Sequence, residues 1–237
     1  MTDIGEAVVE QEAAQDAQAV TRGYRQFRFA LPPNGTEIVL VRHGETVPMV
    51  PGRPFDLLDG QGDPELAPEG EEQALHVAER LAGEDIGAVY VTTMRRTRET
   101  AGPLAERLGL APVVCADLRE VHLGEWEGGL YRQHMAEGHA LSIELLREER
   151  WDVVPGAESN EALAERLRRG VAEIAAAHLG RRVAVFSHGG AIGMILSIAT
   201  GSRPFAFVGS DNGSISRIVV IGGSWIVRGF NDVSHLR

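Results

Sequence analysis

Short apolar runs alternate with segments of helical periodicity from residue 37 onward, and this alternation restricts the chain to few folds. The apolar runs have the length and the flanking turn residues of buried strands; they are Glu37–Arg42, Ala88–Val91, Pro112–Ala116 and Arg182–Ser187. The helical segments between and after them are 68–81, 97–108, 139–149, 161–178 and 190–200. Strands that alternate with helices are typical of parallel sheets covered by helices on both faces. We therefore predict a three-layer α/β/α fold with a mostly parallel sheet.

Three regions depart from this alternation. Residues 214–221 and 224–228 flank the pair Gly222-Gly223, which predicts an antiparallel hairpin at an edge of the sheet. Residues 47–65 are rich in proline and glycine, and residues 125–158 have little periodicity outside one helix. Since neither segment reads as part of a regular layer, we expect them to form a small cap insertion.

The domain organisation predicted from these patterns is simple. Residues 1–36 form an N-terminal extension that we expect to be mobile, and residues 37–237 form the folded domain. Cys115 is the single cysteine of the chain, which excludes an internal disulfide, and its apolar neighbours predict a buried strand position. The first twenty residues contain acidic but no basic side chains, unlike a secretory signal, so we predict a cytoplasmic protein.

The charge balance excludes several classes of function. The chain has 23 basic and 34 acidic residues, a formal net charge of −11, and every basic residue is arginine. An acidic chain is a poor partner for nucleic acid or for an anionic membrane surface, and no apolar stretch is long enough to span a membrane. Without lysine there is no Walker A phosphate loop and no Schiff base. Any anion site must therefore use arginine, histidine and backbone N–H groups.

Polar side chains follow each of the four predicted parallel strands. Arg42 and His43 follow the first strand, Arg96 the second, Glu120 the third and His188 the fourth. In an open α/β sheet, ligands bind beyond the carboxyl ends of the strands, so these side chains are expected to meet at one edge. Their residue types fit phosphoryl transfer, which needs a nucleophile, cations on the phosphoryl oxygens and an acid for the leaving group.

The chemistry assigns a role to each type of group in this constellation. A neutral imidazole can attack phosphorus directly, and neighbouring arginines keep it neutral. Gly44 would let the backbone approach the phosphate, and His188 precedes a helix N-terminus, which favours an anion. Glu120 is the carboxyl best placed to protonate the leaving group. The pattern does not exclude three other glutamates of the same motifs as the proton donor; these are Glu45, Glu125 and Glu127.

These residues resemble the motifs of the histidine phosphatase superfamily, which includes cofactor-dependent phosphoglycerate mutase. The resemblance covers about residues 37 to 236 and rests on five blocks in order. The blocks are Val39 to Thr46; Leu66 to Gly70 with Gln73-Ala74; Val89-Tyr90 with Arg96 and Glu99-Thr100-Ala101; Leu118 to Glu120 with Gly124 to Gly128; and Ser187 to Gly190.

The resemblance implies a role for each matching residue. His43 matches the histidine that becomes phosphorylated, and Glu120 matches the proton donor. The phosphate pocket is matched by Arg42, Arg96 and His188, and further substrate-binding positions are Gly44, Thr46 and Gly189. The spacing to Thr100-Ala101 selects Arg96 over Arg95 as the pocket arginine. No metal and no cofactor is implied.

The chain also departs from the family pattern. Met49 stands where many members carry an asparagine that contacts the phosphate, and Gly193 stands where many carry an arginine. The tryptophan-containing segment of the mutases is absent from residues 47–63. We therefore predict a metal-independent phosphomonoesterase that acts through phosphohistidine on a small phosphorylated metabolite. The alternatives are mutase-type phosphoryl transfer and a non-catalytic protein that binds a phosphorylated ligand.

The sequence also leaves open whether two copies of this chain pair with each other. An exposed strand edge or the N-terminal segment could pair two copies, so a homodimer is one expected state. Arg132, Arg147 and Arg150 follow the Glu120 block, where mutases hold the second end of their substrate, but none matches that pattern convincingly.

Overall fold

A computed structural model describes residues 24–236 of the chain. Its strands are β1 (Gly35–Arg42), β2 (Leu57–Leu58), β3 (Gln61–Gly62), β4 (Ile86–Val91), β5 (Val113–Val114), β6 (Arg182–Ser187), β7 (Ile215–Ile221) and β8 (Ser224–Asp232). Its α-helices are α1 (Pro68–Leu81), α2 (Arg95–Leu108), α3 (Leu130–Glu137), α4 (Ala140–Glu148), α5 (Asn160–Ala177) and α6 (Gly189–Thr200).

Six strands form one sheet in the order β5-β4-β6-β1-β7-β8. The first four of these are parallel to one another, and β7 and β8 form the antiparallel hairpin at the other edge. The short strands β2 and β3 pair separately. The predicted mostly parallel sheet with an antiparallel edge hairpin is confirmed.

Strand β1 shows how the sheet separates two hydrophobic cores. Successive side chains of a strand point to opposite faces. Ile38 and Leu40 pack in the core that includes α5 and α6, whereas Val39 and Val41 pack in the core that includes α1 and α2. All four side chains are fully buried. Helices cover both faces of the sheet, so the predicted three layers are confirmed.

Local signals account for most of the helix ends. Pro68 stands at the start of α1, where its missing N–H costs nothing. Ser159 caps α5, because its Oγ accepts a hydrogen bond from the N–H of Ala162 at 3.2 Å. Gly109 ends α2 with a φ of 65°, a left-handed conformation that glycine adopts without strain.

The third predicted strand is much shorter than expected. Only Val113 and Val114 pair with β4, and both side chains are about half exposed at this edge of the sheet. The prediction of a buried strand position for Cys115 is wrong, because the chain leaves the sheet there and the residue is only partly buried. Apolar composition did not separate a buried strand from an edge strand.

The two segments without regular periodicity lie at the carboxyl end of the sheet. Residues 55–64 contain the β2–β3 pair, and residues 124–153 contain α3 and α4 with short 3₁₀ turns. Helix α3 was not predicted, since none of its side chains is fully buried and it carries no apolar stripe.

Only the end of the predicted N-terminal extension lies within the described residues, because residues 1–23 fall outside them. Residues 24–34 have no regular structure, and the guanidinium of Arg228 lies 4.2 Å from the ring centre of Phe29. Strand β1 starts at Gly35, two residues earlier than predicted, and Thr36 is already fully buried. No helix within residues 24–236 is long and apolar enough to cross a membrane.

Candidate active site

His43 lies directly beyond the end of β1 in a buried position. Its Nδ1 is 2.7 Å from the carbonyl oxygen of Gly44, which can only accept, so Nδ1 carries the proton. The lone pair of the neutral ring is therefore on Nε2. The backbone around the ring is fixed by hydrogen bonds from His43 N to Ser187 O at 3.0 Å and from Asn212 Nδ2 to His43 O at 2.9 Å.

His188 follows β6 and lies beside His43. The two ring centres are 5.2 Å apart in an edge-to-face arrangement, and His188 is completely buried. Its Nε2 is 3.0 Å from Thr92 Oγ1. The hydroxyl of Thr97 donates to Met94 O at 2.8 Å, so the Thr92 hydroxyl donates to Thr97 and accepts from His188. This chain places the proton of His188 on Nε2.

Burial and two neighbouring arginines together keep this pair of histidines neutral. Burial lowers the pKa of His43 well below its ordinary value, and the charges of Arg96 and Arg42 lower it further. The pKa of His188 is lowered in the same way, by burial first and then by Arg96. Burial also lowers the pKa of Arg96 to about 10, which leaves it charged near neutral pH. Both imidazoles are therefore neutral beside two cations.

Polar atoms remain available for a ligand at this site. Within residues 24–236, Arg42 Nε and His188 Nδ1 are buried and have no hydrogen-bond partner. Arg42 Nη1 donates to the carbonyl of Ser210, and Arg96 Nη1 donates to the carbonyl of Gly62 at 2.9 Å. Each guanidinium is thus anchored at one nitrogen and keeps other N–H groups for an anion.

The carboxyl group of Glu120 binds the N-terminus of α6. Its Oε2 accepts from Gly190 N at 3.1 Å, and its Oε1 accepts from Ala191 N at 3.0 Å and from Val121 N at 2.9 Å. Oε2 accepts only one of these bonds, so it keeps a lone pair for a proton. Glu120 lines the same cavity as His43.

The neighbouring glutamates are placed differently. Glu45 and Glu125 are exposed to solvent and do not line the cavity. Glu127 does line it, but its two carboxylate oxygens accept backbone N–H groups from Gly62 at 2.9 Å and Leu123 at 2.8 Å. Among these glutamates, Glu120 alone reaches the cavity beside the N-terminus of α6.

The cavity has a volume of about 280 Å³ and lies over the carboxyl ends of β1 and β6. Its polar lining includes Arg42, His43, Arg96 and Glu120 from the predicted site. The segments 55–64 and 123–132 supply much of its wall, with Trp151 from the turn after α4. The aromatic side chains of this wall are Phe55, Trp126, Tyr131 and Trp151. A small anionic molecule with an organic part fits this lining.

Arg132 of α3 brings a third guanidinium into the cavity, and sequence reasoning did not assign it to the site. Its Nη2 donates to Thr46 Oγ1 at 2.5 Å and its Nη1 to Val47 O at 3.1 Å. Its guanidinium lies 5.2 Å from the ring centre of Phe55. Burial lowers the pKa of Arg132, and the charge of Arg42 lowers it further. The only sequence signal for this residue was its place after the Glu120 block.

Of the other predicted substrate-binding positions, Gly189 lines the cavity, whereas Thr46 and Gly44 do not. Thr46 is buried, and its hydroxyl orients Arg132. Gly189 lines the cavity, and a Cβ there would lie 3.4 Å from Arg42 Nε. Gly44 contacts α1: an added Cβ would lie 2.5 Å from Gly70 O, so packing within the protein requires glycine at this position.

Arg95 and His122 stand close to the motif residues in the sequence but do not line the cavity. Arg95 is exposed and pairs with Glu99 at 2.9 Å, as expected from their helical spacing. His122 lies in a separate depression, where its Nδ1 accepts from Gly124 N at 3.1 Å. Among the described residues, no group of three or more His, Cys, Asp or Glu side chains is arranged to hold a metal ion.

Comparison with known proteins supports the assignment made from the motifs. Residues 38–233 match the family model described as histidine phosphatase superfamily (branch 1). A metal-independent phosphoserine phosphatase of Arabidopsis thaliana is 35% identical over 206 residues, covering 85% of this chain and 83% of that protein. A protein of Klebsiella pneumoniae named "Probable phosphoglycerate mutase GpmB" is 31% identical over 207 residues, covering 84% of this chain and 94% of that protein.

A solved structure extends the similarity to the fold. The mycobacterial glucosyl-3-phosphoglycerate phosphatase superposes with a TM-score of 0.69 at 30% sequence identity. The match covers 83% of this chain and 99% of that chain.

Proposed function

Because the chain belongs to the histidine phosphatase superfamily, we propose that it is a metal-independent phosphomonoesterase that works through a phosphohistidine intermediate. The observation that carries this proposal is the geometry of His43. Its proton is fixed on Nδ1 by Gly44, so the lone pair of Nε2 is available in a cavity lined by Arg42 and Arg96. A nucleophile, cations and a carboxyl group are thus collected around one small space.

In the first half-reaction, His43 Nε2 attacks phosphorus, and the bond between phosphorus and the alcohol oxygen breaks. The alcohol oxygen takes a proton from Glu120, so neutral alcohol leaves. Arg42 and Arg96 bind the phosphoryl oxygens, whose negative charge they stabilise in the transition state. The product of this half-reaction is phosphohistidine with an ionised Glu120.

In the second half-reaction, Glu120 takes a proton from a water molecule as that water attacks phosphorus. The bond between phosphorus and Nε2 breaks, inorganic phosphate forms, and the neutral imidazole of His43 is restored. His188 stays neutral beside the phosphoryl group, because its pKa is lowered by burial. Its Nδ1 has no partner among the described residues and, because the proton of the ring is on Nε2, it can accept a hydrogen bond from a protonated phosphoryl oxygen.

The substrate that we propose is a small phosphorylated metabolite that also carries a carboxylate. The cavity volume of about 280 Å³ suits a molecule of this size. Arg132 provides a cation in addition to the two that bind phosphate. The relatives are named for phosphoserine and for glucosyl-3-phosphoglycerate, and both of these molecules contain a carboxylate.

A direct test is to measure phosphate release from phosphoserine, 3-phosphoglycerate and glycerol 3-phosphate in the presence of EDTA. The wild-type protein should be active, and His43→Ala should lower activity by on the order of 10³-fold or more. His76→Ala is the matched control, because His76 is exposed on α1 and does not line the cavity. Radiolabelled phosphate should remain on the wild-type chain after rapid quenching and should be labile to acid but stable to base. Activity that survives His43→Ala would exclude this mechanism.

Phosphoglycerate mutase activity is the second candidate, and the name of the Klebsiella relative favours it. In that case a hydroxyl group of a bound acceptor, in place of water, takes the phosphoryl group from His43. An assay for transfer between the two hydroxyl positions of phosphoglycerate separates the two activities. A third candidate is a non-catalytic protein, for which vanadate binding without turnover of any substrate is the expected result.

Further predictions about the cellular context remain proposals. The acidic charge and the cavity favour a small-molecule substrate over nucleic acid or a membrane surface. A cytoplasmic location and a homodimer also stay predictions from the sequence. Sedimentation of the full chain and fractionation of cells would test them.

A further inference from the structure

One arginine outside the cavity holds the backbone that carries Glu120. Arg166 lies on α5, and its Nη1 donates to the carbonyl oxygens of Asp117 and Arg119 at 2.8 Å each. Its Nη2 donates to the carbonyl oxygen of Glu120, also at 2.8 Å. The guanidinium is held in turn by Glu158, whose carboxylate oxygens accept from Nε at 2.7 Å and from Nη2 at 2.8 Å. A single side chain therefore ties the Glu120 loop to the helical layer.

This loop needs such a partner because it has little secondary structure of its own. After β5 it makes one 3₁₀ turn at Ala116–Leu118 and then continues extended through Arg119. Its carbonyl groups have no sheet ladder, and unpaired buried carbonyls cost free energy. Arg166 and Glu158 are 16% and 15% exposed, and two parallel bonds join them, a geometry that holds the guanidinium in one orientation.

The carboxyl end of Glu120 is fixed from the opposite side. The N–H groups of Gly190 and Ala191 bind it, and a Cβ at Gly190 would lie 2.6 Å from Oε1. The Gln61 amide also donates to the Glu120 carbonyl at 2.8 Å. The residue is thus held at its main chain by α5 and at its carboxyl group by α6. A loop released by α5 would move the carboxyl group relative to His43.

We propose that Arg166, oriented by Glu158, is the positioning residue for the proton donor of the reaction. This inference rests on the proposed function, because it takes Glu120 to be that donor. Arg166 does not line the catalytic cavity; it borders a separate open depression with Asp117, His122 and Glu158. It therefore makes no contact with the phosphate, and we assign its effect on the leaving group to its hold on Glu120.

The test compares two leaving groups. An alkoxide, as from glycerol 2-phosphate, requires a proton on departure, whereas p-nitrophenolate is a weak base that leaves without one. Because kcat/KM reports only the steps up to departure of the leaving group, Arg166→Met should lower kcat/KM for glycerol 2-phosphate by on the order of 10²-fold, the size expected when a catalytic group is misplaced. For p-nitrophenyl phosphate, kcat/KM should change by less than about fivefold, because its leaving group departs without a proton.

A matched control comes from the next turn of the same helix. Arg169 contacts the carboxylate of Asp117 at 3.3 Å and is 58% exposed. It binds none of the three carbonyls, so Arg169→Met should leave both rates within about twofold of wild type. Thermal unfolding of each variant shows that the comparison is made on folded protein. If Arg166→Met does not fold, Arg166→Lys and Glu158→Gln are used in the same comparison, with smaller selective losses expected.

Glu120→Gln distinguishes failure of the proton-donor assignment from failure of the positioning role of Arg166. If it lowers kcat/KM for both substrates equally, Glu120 is not the proton donor, and that part of the proposed function fails. If Glu120→Gln is selective for the alkyl phosphate but Arg166→Met slows both substrates equally or neither, the positioning role is overturned. Added guanidinium ion, which can enter through the open depression, should restore alkyl phosphatase activity to Arg166→Met and not to Glu120→Gln.

Discussion

The imidazole rings of His43 and His188 lie 5.2 Å apart, edge to face, and both are almost completely buried. Two imidazolium ions at this distance would repel each other, and the charges of Arg42 and Arg96 disfavour even one. The pair is therefore neutral under conditions in which an exposed histidine is partly protonated. Only a neutral imidazole has a free lone pair, so this neutrality allows His43 to act as a nucleophile.

The first prediction concerns the protonation of these two rings. Because their pKa values are lowered well below 6.5, both imidazoles should remain neutral when the pH falls from 8 through 6.5. Nitrogen-15 NMR of histidine-labelled protein measures this directly, with the His43→Gln and His188→Gln variants providing the assignments. The proton should be found on Nδ1 of His43 and on Nε2 of His188. A midpoint at or above pH 6.5 for either ring would contradict the electrostatic description of the site.

The second prediction follows from the same shifts by linkage. Below about pH 6.5 the unfolded chain binds protons at these two histidines that the folded chain does not bind. The resulting contribution to the free energy of unfolding is fully present above pH 6.5 and is lost as the pH falls toward the lowered folded values. Urea unfolding at pH 7.5, 6.5 and 5.5 should show this loss for the wild type and a smaller loss for His188→Gln. Equal pH dependence in the two proteins would mean that the histidines are not responsible.

The third prediction tests the role of Arg132. If this guanidinium binds a carboxylate of the substrate, Arg132→Met should raise KM for phosphoserine roughly 10- to 100-fold, the value of a charge-assisted hydrogen bond. KM for p-nitrophenyl phosphate, which has no carboxylate, should change by less than about threefold. Arg147→Met is the control, because Arg147 is 69% exposed on α4. An equal rise in KM for both substrates would indicate that Arg132 binds the phosphate itself.

Much of the fold could be predicted because most of its elements carry their own local signals. Pro68, Ser159 and Gly109 stand at helix ends, and the apolar run after Glu37 has the length of a buried strand. Helix α3 also ends at a glycine in the left-handed conformation, Gly138, but it lines a cavity and buries no side chain completely, so it has no apolar stripe. The apolar stripe of a helix consists of side chains that are buried against the core, so it cannot indicate a helix that buries none.

The site likewise contains residues that the sequence pattern indicates and residues that it does not. The predicted side chains follow strands, and the rule for ligand sites in α/β sheets brought Arg42, His43, Arg96 and Glu120 to one cavity. Arg132 is brought there by a helix that the sequence did not indicate. The hydroxyl group of Thr92, which orients His188, comes from a neighbouring strand, and no spacing along the chain connects these two residues.

The fourth prediction concerns the backbone crossing between Gly44 and Gly70. A Cβ at Gly44 would lie 2.5 Å from Gly70 O and 2.9 Å from Gly70 Cα, and neither backbone atom can move without shifting α1. Gly44→Ala should therefore destabilise the protein by roughly 1–3 kcal/mol, the usual cost of overpacking. It should also lower kcat, because the Gly44 carbonyl fixes the Nδ1 proton of His43.

Gly83→Ala provides the comparison for this variant. Gly83 is exposed, and a Cβ there meets no atom within 4 Å, so the substitution should be neutral or stabilise the protein by up to about 1 kcal/mol. Chemical denaturation measures the free energy of unfolding of both variants, and steady-state kinetics measures their kcat. If Gly44→Ala were as stable and as active as Gly83→Ala, the close crossing of the two glycine backbones would not constrain the position of His43.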